Sequence, residues 1–311
     1  AGQISLDTRT LTTAGAGNIT LSGTITGSGG ITKTGGGTLA LSGGSGNSFG
    51  GALSITDGTV ALAKSSGNAL AGGVVNIGDG SGTAGSAVLR LDASHQIANH
   101  GGLVTIRSDG VLRVNNFTEG INTLAGTGLI DLSTSGYLTV GVNSGSSTFG
   151  GSITGSGTLE KAGSGTLTFN SNIGFTGTLA LSGGTVALNG VSLSADTLIV
   201  SANSIIDFGG SASQLNLTNM AIAANVVLTI KNWAGAADFF FTQNWAGASF
   251  NTGGNNPMNQ VVFQGFNAND TKWQSYDRQI TPVPEPSAYG AMLLGMGVAL
   301  SWIRRRRRRT A

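Results

Sequence analysis

The sequence predicts an all-β protein whose short strands stack into a β-solenoid, and three observations predict it. Two stretches repeat each other, TGSGGITKTGGGTLAL at 26–41 and TGSGTLEKAGSGTLTF at 154–169. Apolar and polar residues alternate within short runs, and glycine pairs separate these runs. A long repeat of strand and turn units is typical of stacked coils, because one coil alone cannot bury its apolar side chains.

Each copy of the repeat continues into a second strand-like block, GALSITDGTVAL at 51–62 and GTLALSGGTVAL at 177–188. Alternation with a period of two predicts one set of buried aliphatic side chains in the first copy. These are Leu39, Leu41, Leu53, Ile55, Val60 and Leu62. No segment of 1–230 sustains a helical period, so we expect these residues to form the solenoid body.

Composition supports a packed but weakly charged fold. Glycine accounts for 53 of 311 residues and charged residues for 10%, well below the roughly 25% of ordinary domains. A hydrophobic content of 39% argues against a disordered linker. Because the chain has no cysteine, it can form neither disulfides nor thiolate metal sites.

Aromatic residues concentrate after residue 230, where all four tryptophans lie. We interpret 231–281 as a cap, since the last coil of a solenoid must not expose its core or its strand edge. The alternative is a carbohydrate-binding surface in which Trp245 and Trp273 stack on sugar rings. No spacing motif supports that alternative.

The repeat resembles the autotransporter-associated β-strand repeat. The matching residues are Gly36–Gly43 with Gly50–Leu62, and Ser164–Phe169 with Gly177–Leu188. The resemblance covers roughly residues 17–200 and implies a right-handed parallel β-helix. It also raises export as an autotransporter passenger, but we expect the C-terminal segment to supply the export route.

The C-terminal segment, 282–311, has three parts: a proline-rich spacer, the uncharged run 287–303, and an arginine cluster. As a helix the run would extend about 25 Å, near the lower limit for a bilayer core of about 30 Å. It therefore predicts a single transmembrane helix whose arginines stay cytoplasmic, with the rest of the chain on the far side. The stop-transfer residues are Arg304, Arg305, Arg306, Arg307, Arg308 and Arg309.

This segment resembles the PEP-CTERM sorting signal of Gram-negative bacteria. The motif residues are Pro284, Glu285, Pro286 and Ser287, followed by the apolar run and the arginines. The resemblance implies recognition and cleavage by an exosortase, a membrane protease that passes the protein to the cell surface. An ordinary membrane anchor is the alternative, and a nucleic-acid-binding tail fits less well because an apolar run directly precedes the arginines.

Net charge also argues against a nucleic-acid partner. The chain carries +2, but without Arg304–Arg309 it has 10 basic against 14 acidic residues, a balance of −4. Because an exported protein needs a leader and the sequence opens at Ala1, we expect that a signal peptide preceded this numbering.

Residues that could carry catalysis are few. His95 and His100 are five apart, unlike a helical zinc pair, and we interpret both as turn residues. The match to GxGxxG at 80–85 precedes an alternating strand-like run rather than a helix, so it predicts no nucleotide site. Asp57, Asp79, Asp109 and Asp131 could offer calcium ligands, but turn-forming aspartates are the simpler interpretation.

A β-helical polysaccharide lyase or hydrolase would need clustered carboxylates. Before the C-terminal segment the only glutamates are Glu119 and Glu160, and the other acids are spread along the chain. We therefore predict no enzyme, no cofactor and no metal, and a structural or adhesive protein exported to the cell surface. Its predicted partners are an exosortase, the inner membrane transiently through 287–303, and extracellular polysaccharide or other surface proteins.

Overall fold

A computed structural model describes residues 2–98, 102–210, 212–235, 237–245, 260–267, 270–274 and 277–282. These are the described residues, and they contain no α-helix. The prediction of an all-β chain is confirmed over these ranges. Among them no helix is both long enough and apolar enough to span a bilayer. The predicted helix at 287–303 lies outside the described residues.

The described residues form thirty-two short strands, numbered here in chain order. The first are β1 Ile4–Ser5, β2 Leu11–Thr13, β3 Ile19–Leu21, β4 Ile25–Gly27, β5 Ile31–Lys33, β6 Thr38–Gly43, β7 Ser48–Phe49, β8 Leu53–Ile55, β9 Gly58–Lys64, β10 Val75–Ile77 and β11 Ala87–Leu91. Next come β12 Leu103–Ile106, β13 Gly110–Arg113, β14 Thr118–Ile121, β15 Thr123–Gly126, β16 Leu129–Asp131, β17 Tyr137–Val140, β18 Ser147–Phe149, β19 Ser152–Thr154, β20 Thr158–Lys161, β21 Thr166–Phe169 and β22 Ile173–Gly174. The last are β23 Thr178–Leu181, β24 Thr185–Ala187, β25 Ser192–Val200, β26 Ser204–Asp207, β27 Gln214–Ile222, β28 Leu228–Lys231, β29 Phe239–Trp245, β30 Val261–Phe263, β31 Thr271–Gln274 and β32 Gln279–Pro282.

The strands stack as a parallel β-solenoid of about 11 turns. A long sheet of twelve strands runs along it, in the order β2-β5-β8-β10-β12-β15-β18-β21-β24-β26-β28-β30. A seven-stranded sheet (β3, β6, β9, β11, β13, β16, β19) and a three-stranded sheet (β1, β4, β7) complete the first turns. A ten-stranded sheet completes the later ones, with β14, β17, β20, β22, β23, β25, β27, β29, β32 and β31. The prediction of a β-solenoid is confirmed, and its right-handed coil stays a prediction.

Inward side chains stack in columns along the axis, because each strand pairs in register with its counterpart one turn away. One column runs Leu138, Leu159, Leu179 and Leu198 on successive strands of the ten-stranded sheet. All four side chains are buried. The six aliphatic residues predicted to be buried in the first repeat copy are buried as well, which confirms the alternation.

Parallel pairing continues beyond residue 230, since β29 pairs with β27 and β30 pairs with β28. The pattern then changes, because β32 pairs antiparallel with both β29 and β31. These antiparallel strands cover the edge of β29, the last parallel strand of the ten-stranded sheet. The proposed division at 231 and at 282 stays a prediction.

Candidate functional site

The sorting residues Pro284, Glu285, Pro286 and Ser287 and the cluster Arg304–Arg309 lie outside the described residues. His100 also lies outside them, whereas His95 is an exposed residue with φ of 56°. That conformation is common in turns, and it places His95 where the turn interpretation expects it. Within the part of the chain that the structure describes, no three His, Asp or Glu side chains group to hold a metal ion.

Asp109 is a buried turn residue rather than an exposed ligand. Its carboxylate accepts hydrogen bonds from the backbone N–H groups of Gly80 at 2.7 Å and Asp79 at 3.2 Å. Burial acts to raise the pKa of Asp109, but these N–H groups outweigh it and the pKa lies below its usual value. Asp109 therefore fixes the loop after β10, in line with the turn interpretation.

The two tryptophans of the carbohydrate hypothesis pack against the core at the C-terminal end. Trp273 donates its indole N–H to the Thr242 carbonyl at 3.0 Å. The Arg278 guanidinium lies 5.4 Å from the centre of the Trp273 ring. Trp245 ends β29 and is half-buried. These contacts support the cap interpretation, and sugar stacking by either ring stays a prediction.

Two buried lysines occupy the same place in the two repeat copies, Lys33 and Lys161. Lys161 donates from Nζ to the carbonyls of Ala162 and Gly163, the latter at 3.0 Å. Lys33 donates in the same way to the carbonyls of Thr34 at 3.1 Å and Gly35. Burial lowers the pKa of both lysines, and for Lys33 the nearby Asp57 carboxylate acts in the opposite direction. The lysine of each repeat thus caps the carbonyls of its own glycine turn, a role that the sequence reasoning missed.

Glu119 is buried in the core, a second feature that sequence reasoning missed. Its Oε2 accepts from the N–H groups of Gln96 at 2.6 Å and Ile97 at 3.2 Å, and its Oε1 accepts from Gly120 at 3.0 Å. Burial raises the pKa of Glu119 to about 7, against the lowering effect of these three hydrogen bonds. The carboxyl group bonds the backbone of 96–97, and Ile97 also forms an isolated parallel bridge with Leu70 on the preceding turn.

An open cleft lies on the outside of the later turns, across β25, β27 and β29, and we call it the corner cleft. Its volume is about 300 Å³. The polar side chains that line it are Thr176, Ser194, Asp196, Asn216, Thr218 and Gln243. Buried side chains of Phe175, Ala195 and Leu217 also line it.

The corner cleft forms where the parallel ladder is interrupted. Between β25 and β27 the register pairs residues up to Ala195 and resumes at Thr197, so Asp196 and Thr218 fall in the gap. Between β27 and β29 the register likewise skips Thr218 and Gln243. All three skipped side chains are exposed. Because this gap depends on pairing between distant strands, no local motif could have revealed the cleft.

Comparisons with known proteins give no family assignment. No protein-family model, no curated protein and no solved structure matches the chain. The resemblances to PEP-CTERM signals and to autotransporter-associated repeats therefore stay predictions.

Proposed function

We propose that this protein is an exported, surface-associated β-solenoid with a structural or adhesive role, delivered by exosortase processing of its C-terminal segment. One observation carries the proposal: a single parallel sheet of twelve strands runs the length of the solenoid. At about 4.8 Å between strands, this stack extends about 50 Å. A stiff rod of this kind displays its outward side chains at regular intervals, which suits many weak contacts acting together.

The outward side chains on the first five strands of the long sheet support this role. Successive strands place Thr12, Thr32, Ser54, Asn76 and Thr105 in one register column. These five side chains are polar and uncharged, so they can hydrogen-bond a partner without selecting for its charge. Later strands continue the column with Ala125, Thr148, Thr168, Ala187, Asp207 and Lys231. The proposed role needs no catalysis, because the rod acts by its shape and its surface.

Two measurements test the delivery step. Mass spectrometry identifies the C-terminus of the mature protein, and cell fractionation locates the protein in cells with and without the exosortase. We expect the mature protein to lack Arg304–Arg309 and to reach the surface only when the exosortase is present. The matched variant replaces Pro284, Glu285 and Pro286 with alanine and leaves the arginines intact. A mature protein that retains the arginines would contradict exosortase processing and leave a membrane anchor as the explanation.

A further inference from the structure

The corner cleft carries a column of side chains with unused hydrogen-bonding groups. Gln243 and Thr218 form no side-chain hydrogen bond with any described residue, and Asp196 uses one oxygen, Oδ2, to accept from Thr197 at 3.0 Å. These three residues lie on successive turns at about 4.8 Å intervals. The cleft therefore offers a carboxylate, a hydroxyl and an amide in a row along the solenoid axis.

A second row beside this column is held rigidly. Gln214 donates from Nε2 to Oδ1 of Asn216 at 2.9 Å. Asn216 in turn donates from Nδ2 to Oγ of Ser194 at 3.2 Å. Since these bonds fix the orientation of the Asn216 amide, the wall of the cleft is ordered before any ligand arrives, which lowers the entropy cost of binding.

Apolar surface accompanies the polar rows. Phe175 and Leu217 line the cleft, and Phe241 follows Asn216 in register on the next turn. The rings of Phe239 and Phe241 stack at 5.7 Å with an interplanar angle of 6°, and Phe239 is 40% exposed. These two rings lie outside the cleft lining, on β29 before Gln243 and beside the Gln214 and Asn216 amides. Flat apolar surface beside amide groups suits a sugar ring, which has C–H groups on its faces and hydroxyls around its edge.

Backbone pairing argues against a peptide added as an extra strand. β25 pairs with strands on both sides, and so does β27. Strand addition needs an unpaired edge, which these central strands do not offer. Recognition in the cleft must therefore come from side chains, and hydroxyl-rich ligands are suited to that.

We propose that the corner cleft binds a segment of neutral polysaccharide, which lies along the solenoid axis across successive turns. The strand spacing is close to the length of one sugar unit, so one turn of the protein can meet one sugar. Neutral chains are favoured because Asp196 is the charged residue of the lining and repels anionic sugars. This proposal deepens the adhesive role and rests on it, since a rod outside the cell meets polysaccharide.

Affinity electrophoresis of the purified full chain tests the proposal, in gels that contain dextran, laminarin, galactomannan or xylan, with alginate as the acidic counterpart. We expect at least one neutral polysaccharide to slow migration. Alginate can bind the Arg304–Arg309 cluster of the full chain, so any retardation by alginate should be the same for the parent and the double variant. The double variant Asp196→Ala, Gln243→Ala should weaken that retardation at least tenfold. Asn244→Ala is the matched control, because Asn244 is exposed on the same strand as Gln243 but does not line the cleft.

Equal thermal midpoints of the parent and the variants show that the double variant is folded. Three results would each overturn the cleft proposal. They are full retardation of the double variant by the neutral polysaccharide, retardation of the parent by alginate alone, and no retardation in any gel. The C-terminal mass spectrum is independent of these gels. Correct processing without polysaccharide binding would contradict only the proposal about the cleft. Binding without processing would contradict only the proposed exosortase delivery.

Discussion

Glu119 occupies the inward position that Leu138 fills one turn later, and the two residues pair in register between β14 and β17. Leu138 is fully buried and Glu119 is 1% exposed, so a carboxyl group starts a column of leucines. A carboxyl in an apolar column favours its neutral form, which explains why the pKa of Glu119 rises to about 7.

The first prediction is that Glu119 makes the free energy of unfolding depend on pH. In the unfolded chain a glutamate has a pKa of about 4.3, so the pKa of about 7 in the fold means that folding favours the protonated form. Its contribution to stability is complete below about pH 4 and is lost as the pH rises to about 7. Urea denaturation should therefore show a loss on the order of 3 kcal/mol across this range.

Glu119→Gln should flatten this pH dependence, because the amide does not titrate. Glu160→Gln is the matched control, since Glu160 points outward on β20 and accepts a hydrogen bond from Thr139 at 2.8 Å. It should keep the parent's pH profile. An identical profile for the parent and Glu119→Gln would show that the burial of this carboxyl does not control stability.

The second prediction concerns the lysine that caps the turn of the second repeat copy. Lys161→Met keeps most of the side-chain volume but leaves the carbonyls of Ala162 and Gly163 without their donor. We expect it to lower the free energy of unfolding by about 1–3 kcal/mol, and Lys161→Ala to lower it further because a cavity is added.

Lys231→Met is the control for this pair, because Lys231 is half-exposed at the end of β28 and its change should stay within about 0.5 kcal/mol. The measurement is the midpoint of urea denaturation. If Lys161→Met were more stable than the parent, the cost of burying the ammonium would outweigh the hydrogen bonds that it donates.

The third prediction compares two glycines of the first repeat copy. Gly58 has φ of 76°, and a Cβ there would lie 2.6 Å from Nζ of Lys33 and in contact with the Gly35 carbonyl. Gly58→Ala should therefore cost about 2 kcal/mol or more, from backbone strain and displacement of the lysine.

Gly36→Ala is the matched control, because a Cβ at Gly36 meets nothing within 4 Å. Its effect on the thermal midpoint should be small. Equal losses for Gly58→Ala and Gly36→Ala would show that the lysine turn imposes no special constraint on the glycine next to it.

Much of the fold could be predicted because local patterns encode it. The alternation in Thr38–Gly43 and Gly58–Lys64 fixes which side chains point inward, and the repeat implies that successive coils stack. The sequence shows that Lys33 and Lys161, the buried lysines, stand at equivalent positions of the two repeat copies. Alternation alone does not reveal their role, because lysine is usually a surface residue.

The corner cleft and Glu119 could not be predicted in the same way. Asp196, Thr218 and Gln243 line one cleft only because the ladder between successive coils skips one residue on each turn, and no local sequence pattern marks that skip. The burial of Glu119 likewise depends on the column above it, which is set by register rather than by its neighbours in sequence. In both cases the sequence does not show the register in which the strands of neighbouring coils pair, and this register decides which side chains come together.

The last prediction separates the cap from sugar binding at Trp273. Because its ring packs against the core and its N–H bonds the Thr242 carbonyl, Trp273→Ala should lower the free energy of unfolding by about 2–4 kcal/mol. Trp273→Phe keeps an aromatic ring but no N–H, so it should lose about 1 kcal/mol. Polysaccharide retention, measured well below both thermal midpoints, should match the parent for both variants. If Trp273→Ala lost retention at an unchanged thermal midpoint, Trp273 would be a sugar-stacking residue and the cap interpretation of its ring would be wrong.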